Sequence, residues 1–422
     1  MKSNRLFWLV GVVLIVLVMM PAFAQGAQET QKEVDLRWAS IWVGADSKAG
    51  PVAELVAEFN AANAGKIKVT IEPQPDYNAY EQKVRTSLAA GIAPADIFTI
   101  KLNPTTAEFY NSKLLMDFSD VFTGDWRASF DVGSVNQSTI KGELKSLPFE
   151  TAILPMWYNM DMLAKVGVKE VPKTANEFWS LMDKLKAAGI SPTSQMTGDT
   201  NAWTSMIWFS HFAISLGGPD VWSKPFTDPA FVKAAEYLKR MIVDYSTADA
   251  IGLGAGGSGG HFLAGRTAVF SNGPWYAGRA DLAATSFFNN IKIAGLPGFG
   301  PTSSYMVSRI QANICAASSK DAAKEAAIVT FLKFLTDPAN VKRIAEPSGA
   351  MFAVKTDAQP SNHLQVQFTR LANSVAITAP DFEAAMGAEA TLEFTQQLSA
   401  LALGKIDATE FTRLVARKIN LD

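Results

Sequence analysis

One cysteine and three histidines in 422 residues leave little material for disulfide or zinc chemistry. Cys315 has no partner in the chain, so an internal disulfide is excluded. Its setting, Gln311-Ala312-Asn313-Ile314-Cys315-Ala316-Ala317, reads as a buried strand, and no neighbouring His or cation in sequence favours a thiolate. His211, His261 and His363 are scattered without metal-ligand spacing, and no Asp-x-Asp-x-Asp-Gly loop offers calcium its oxygens. No metal and no cofactor are expected. A Gly-x-x-x-x-Gly-Lys-Ser/Thr loop is missing too, so energy from ATP must come from elsewhere. The run Gly254-Ala255-Gly256-Gly257-Ser258-Gly259 formally matches a dinucleotide fingerprint but lacks a preceding apolar strand, and it reads as a mobile loop. With 38 basic and 40 acidic residues the net charge is −2, which disfavours a nucleic-acid partner.

What is present begins with Lys2, Arg5, an apolar stretch from Leu6 to Met20 and then Pro21-Ala22-Phe23-Ala24. A spanning helix needs about 20 apolar residues, and this stretch is shorter and followed by small residues, so residues 1–24 read as a cleaved signal peptide. Their removal takes away two cations and moves the net charge to −4. No Cys lies near the cut to carry a lipid anchor, so a free, monomeric periplasmic protein is expected. The remaining length calls for two domains, since single cores stop growing at roughly 250–300 residues. No polar linker and no internal repeat separates two halves, so several chain crossings are expected to join them.

The local patterns are those of an α/β protein. Val34–Trp38 alternates apolar and polar residues, Pro51–Ala62 places Val52, Leu55, Val56 and Phe59 on one helical face, and Lys66–Ile71 reads as a second strand. A helix over Tyr77–Ala90 stops at Gly91 before the short strand Asp96–Ile100. Thr174-Ala175-Asn176-Glu177 is a capping box ahead of Phe178, Leu181, Met182 and Leu185. Asp228-Pro229 and Asp337-Pro338 each place an N-cap acceptor before a proline at the first helical position. Such helices are expected to cover a mostly parallel sheet, with ligands bound beyond the carboxyl ends of its strands.

Several segments, in this order, resemble the periplasmic sugar-binding family that includes maltose-binding protein, the extracellular solute-binding proteins of ABC importers. They are Ala89-Ala90-Gly91-Ile92-Ala93-Pro94-Ala95-Asp96-Ile97, Gly142–Pro148 with Trp157-Tyr158-Asn159-Met160-Asp161, and Phe262–Val269 leading to Asn272-Gly273-Pro274-Trp275. The resemblance runs through nearly the whole mature chain. It implies a two-lobed periplasmic binding protein fold with discontinuous lobes, a hinge and a central ligand cleft. By that analogy residues 33–140 with 300–346 form the N-terminal lobe, and 141–297 with 352–422 the C-terminal lobe. It also implies a mono- or oligosaccharide ligand, delivery to the permease subunits of an ABC importer, and no catalysis.

A sugar offers flat C–H faces and a rim of hydroxyls, so its site needs aromatic platforms beside hydrogen-bonding groups. Trp275 is the leading platform, following a strand across Ser271-Asn272-Gly273-Pro274 and matching a family position that stacks on sugar, with Asn272 and Tyr276 beside it. Trp42, at the end of the first strand, and Trp203, after a polar loop, are divided between platform and packing. Glu150 and Thr151 lie near the first expected crossing, where a carboxylate could accept from vicinal hydroxyls; an ordinary surface glutamate is the plainer reading. Lys101 and Asn103 stand just past the strand Asp96–Ile100. Trp157, Trp179, Trp208 and Trp222 read as core, Asp96 as support for its strand, and Arg309 as a lock at the hinge rather than a ligand contact. The stretch near 386–396 lacks the tryptophan that maltose-binding protein has there, which speaks against a maltodextrin.

Two alternatives stay open. The same fold could take a polyamine, peptide or other non-sugar solute, which would require clustered carboxylates beside aromatic rings. An exported carbohydrate-active enzyme would need paired carboxylates about 5–10 Å apart, and the sequence shows neither a barrel repeat nor a nucleophile elbow.

Overall fold

A computed structural model describes residues 33–100, 113–140, 142–198, 202–375 and 377–419. Its strands are β1 (Val34–Ser40), β2 (Ile67–Pro73), β3 (Ile97–Ile100), β4 (Leu147–Ile153), β5 (Met156–Asn159), β6 (Val269–Ser271), β7 (Ile291–Ala294), β8 (Met306–Ala316), β9 (Met351–Phe352) and β10 (Thr378–Ala379). Leu36 and Trp38 of β1 point into the core, and the helix Ala49–Ala62 covers them with Val52, Leu55, Val56 and Phe59, as the spacing predicts. That helix returns the chain to β2, parallel to β1, and the helix Tyr77–Ala89 returns it to β3 on the other side of β1.

The sheet runs β2-β1-β3-β8-β4-β9, with β10 also pairing β8; β6-β5-β7 form a second, antiparallel sheet. The link between lobes lies in β4 and β8, which pair antiparallel over most of their length. Leu147, Phe149, Ala312 and Ile314 pack in a first core around Trp38, Phe59, Phe118 and Phe331. Ala152 and Val307, from the same two strands, and Leu154 just past β4 pack in a second core around Trp208, Phe209, Phe212, Phe231 and Phe394. The two clusters share no residue, so each lobe has an apolar interior of its own. A further apolar layer, with Trp157, Phe262, Phe270 and Tyr276, lines the other face of the three-stranded sheet.

Local signals are realised at several helix starts. Thr174 and Glu177 form the reciprocal capping box, and Asp228 and Asp337 accept from Ala230 and Ala339 N–H ahead of their prolines. Cys315 is buried in β8 opposite Phe98. The glycine run departs from expectation: Ala255–Leu263 is a helix, not a loop. Tertiary contacts override its poor propensity. The Tyr276 hydroxyl donates to the Gly259 carbonyl, the Ser194 hydroxyl to the Ser258 carbonyl, and a Cβ at Gly259 would meet Tyr276 Oη at 3.1 Å.

Candidate functional site

β6 ends at Ser271 and releases the chain into Asn272-Gly273 and the tight turn Pro274–Gly278. Two hydrogen bonds fix that release. Trp157 Nε1 donates to the Asn272 carbonyl at 3.0 Å, and Asn272 Oδ1 accepts from the Gly273 amide at 2.8 Å. The Trp275 ring then folds over Gly273, where a Cβ would lie 2.3 Å from the indole, so only glycine admits this arrangement. Trp203 opens the helix Trp203–Gly217 and meets Trp275 with ring centroids 5.8 Å apart and planes inclined by 34°. Both indoles are only partly buried. Two of the tryptophans singled out in the sequence, 72 positions apart, thus form one aromatic surface. Tyr276 turns the other way: its ring packs on Trp157 and Phe270 and its hydroxyl is spent on Gly259.

Trp42 and Glu150 meet each other in the first lobe. Trp42 Nε1 donates to Glu150 Oε2 at 3.0 Å, while Trp38 and Phe149 pack against the ring. Trp42 is 1% exposed and Glu150 2%, so here the ring is enclosed and the carboxylate is not a surface group. Lys48 Nζ stands 3.1 Å from Glu150 Oε1 and 3.2 Å from Asp46 Oδ1. Burial raises the Glu150 carboxyl above its ordinary range, against the opposing pull of Lys48. Burial alone would lower the Lys48 ammonium, but Glu150 and Asp46 more than offset it and hold it above the usual lysine value. Glu150 sits between two irregularities of the β4–β8 register with its side chain buried, and Thr151 beside it is half-buried opposite Ile310 and Met351. Lys101 and Asn103 lie outside the described residues.

Arg309 is buried in β8 and bonds Asp381 at 2.8 Å and Glu383 at 2.7 Å, tying the shared strand to the start of the helix Phe382–Ala402. Asp96 accepts from the Arg37 amide and pairs with Lys324, a supporting role for β3. Sequence reasoning missed Lys48, Asp46, Asp381 and Glu383. Lys48 precedes a helix and carries no local sign that it is buried; its partner is about 100 positions away.

Residues 45–342 match the family described as bacterial extracellular solute-binding proteins. The chain belongs to that family. Its curated relatives include a diacetylchitobiose binding protein, DasA of Streptomyces coelicolor, 30% identical over 131 residues, which is 30% of this chain and 29% of that one. A probable sugar-binding periplasmic protein of Mesorhizobium japonicum is 28% identical over 147 residues, 34% of each chain. The chain thus matches well under half the length of these relatives. Among solved structures, a chitin oligosaccharide binding protein superposes with a TM-score of 0.82 at 19% identity, covering 92% of this chain and 98% of that one. At such identity the likeness is one of fold, and it is the two-lobed fold of solute-binding proteins. Members of this family bind solutes rather than transform them, and among the described residues no helix is long and apolar enough to cross a membrane.

Proposed function

We propose that this solute-binding protein captures a carbohydrate between its two lobes, on the Trp203–Trp275 surface, and delivers it to the permease of an ABC importer. The carrying observation is the juxtaposition of two partly exposed indoles at the end of β6 and the start of a helix. Their faces suit the C–H side of a sugar ring, and the relatives named for diacetylchitobiose and chitin oligosaccharides support that class. In this reading the lobe built around Trp38 and Phe331 moves against the lobe built around Trp208 and Phe394, β4 and β8 bend between them, and the protein works as a monomer outside the cytoplasmic membrane. Closure follows because ligand bridging both lobes binds the closed form better than the open one.

Thermal unfolding against mono-, di- and oligosaccharides, sn-glycerol-3-phosphate, polyamines and short peptides tests the reading. At a hundredfold excess over its Kd, a ligand bound only by the native state stabilises it by about 2.7 kcal/mol. A shift confined to sugars is the expected result. A shift with polyamine or peptide alone would move the ligand to another class, and sn-glycerol-3-phosphate enters the panel because a relative of Escherichia coli, 28% identical over 193 residues, is named for it. Release of monosaccharide during incubation would instead indicate an enzyme.

A further inference from the structure

The turn that carries Trp275 ends against the other lobe. Gly278, its last residue, stands so near the end of the helix Pro338–Ser348 that a Cβ built on it would lie 2.1 Å from the Ser348 carbonyl oxygen, 2.6 Å from the Ser348 carbonyl carbon and 3.0 Å from the Pro347 oxygen. All three are backbone atoms, so no flexible side chain can turn aside to admit a methyl group. The constraint is space rather than backbone conformation, since Gly278 is not among the glycines with positive φ. The helix contributes Val341 and Ile344 to the first core, whereas Tyr276 and Ala277 of the turn belong to the apolar layer behind the three-stranded sheet.

Other bonds converge on the same junction. Ser47 Oγ donates to the Ser348 carbonyl at 3.4 Å, and Asn362 Nδ2 donates to the Ala277 carbonyl at 3.0 Å. Arg279, next in the chain, holds its proton more firmly than a free guanidinium, chiefly through its hydrogen bond to Asp281 and with a smaller contribution from Asp46 of the first lobe.

We propose that Gly278 is a positioning residue for the cleft: its missing side chain sets how closely the Trp275 turn approaches the first lobe, and so where the indole stands relative to the opposite wall. A methyl group there must move from 2.1 Å to at least 3.4 Å from the Ser348 carbonyl oxygen to reach an ordinary contact. The cores are packed independently, so the cheapest relief is to shift one against the other and leave each intact.

The test is Gly278→Ala, with Gly50→Ala as control because nothing lies within 4 Å of a Cβ at Gly50. Nitroxide labels on the exposed positions Glu54→Cys and Lys184→Cys report the separation of the two lobes by pulsed electron resonance, and buried Cys315 stays unlabelled. Gly278→Ala is expected to fold, to shift the distance distribution with or without sugar, and to weaken affinity at least tenfold, while Gly50→Ala changes none of these. Only the affinity arm rests on the carbohydrate reading. If the unsubstituted protein binds no sugar, that reading fails and the distance arm alone decides. An unchanged distribution would overturn the proposal. So would failure of Gly278→Ala to fold, which would make the glycine a packing requirement of one core instead of a spacer between two.

Discussion

Trp42 and Trp275 each follow a strand of their lobe by a few residues, yet they end in opposite surroundings. Trp42 is enclosed by Trp38 and Phe149 and its N–H is held by a buried carboxylate. Trp275 is folded over a glycine, kept partly open, and set beside a second indole. The difference lies in what stands opposite. A buried acceptor draws a tryptophan inward and satisfies it, whereas a glycine that cedes its space lets the ring lie on the surface of its own turn. The first arrangement holds a lobe together; the second leaves a ring face for something else.

Substitutions on the two sides should separate a loss of stability from a loss of binding. Glu150→Ala removes the acceptor of Trp42 and the nearest counter-charge of Lys48, leaving a buried ammonium with Asp46 alone. Loss of one partner from a buried pair costs about 3–5 kcal/mol, so denaturant unfolding should show a large loss of stability. An effect under about 1 kcal/mol would mean the knot is not structural.

The second lobe has a different vulnerability. His211 is buried, bonds the Leu154 carbonyl at 2.7 Å, and is pushed by burial down to about 4 from an ordinary 6.5. The unfolded chain therefore takes up the proton first as pH falls. Stability is full above about 6.5, declines between 6.5 and 4, and has lost about 3 kcal/mol below that. His211→Gln should flatten this slope in acid unfolding curves, and an unchanged slope would place the acid sensitivity elsewhere.

Trp275→Ala should act in the opposite sense to Glu150→Ala. Truncating a central aromatic anchor costs about 2 kcal/mol of binding, roughly 30-fold in Kd by titration calorimetry, with unfolding little changed. Equal losses of stability and affinity would return Trp275 to the core. The smallest expected change lies behind the site, in the glycine-rich helix. Gly256 and Gly260 have nothing within 4 Å of an added Cβ, so Gly256→Ala and Gly260→Ala should each stabilise by about 0.5–1 kcal/mol in thermal unfolding. A loss instead would reveal a contact that forms only on closure.

Features written in a few adjacent residues were legible in advance. The helix Ala49–Ala62, the Thr174–Glu177 capping box and the two Asp-Pro starts need only neighbours within a turn, and each formed where expected. The aromatic pairing in the candidate site is half legible: Trp275 follows a strand and matches a family position, and Trp203 follows a polar loop, but only the fold brings them to 5.8 Å. Glu150 shows why the rest was hidden. Its fate depends on Trp42, 108 positions earlier, and on the register irregularities of β4 against β8, and no local pattern encodes either. The glycine run misled for a related reason, since its helix is held by Ser194 and Tyr276 against its own propensity.

Strand β8 carries a consequence for the order of events as the chain folds. It is the neighbour that β3 and β4 both require, although roughly 200 residues separate it from β3. A growing chain therefore cannot complete the sheet of its first half until residues 306–316 have emerged, and high contact order makes that closure slow. The nascent first half must wait with an open sheet edge, a window in which a chaperone can engage it.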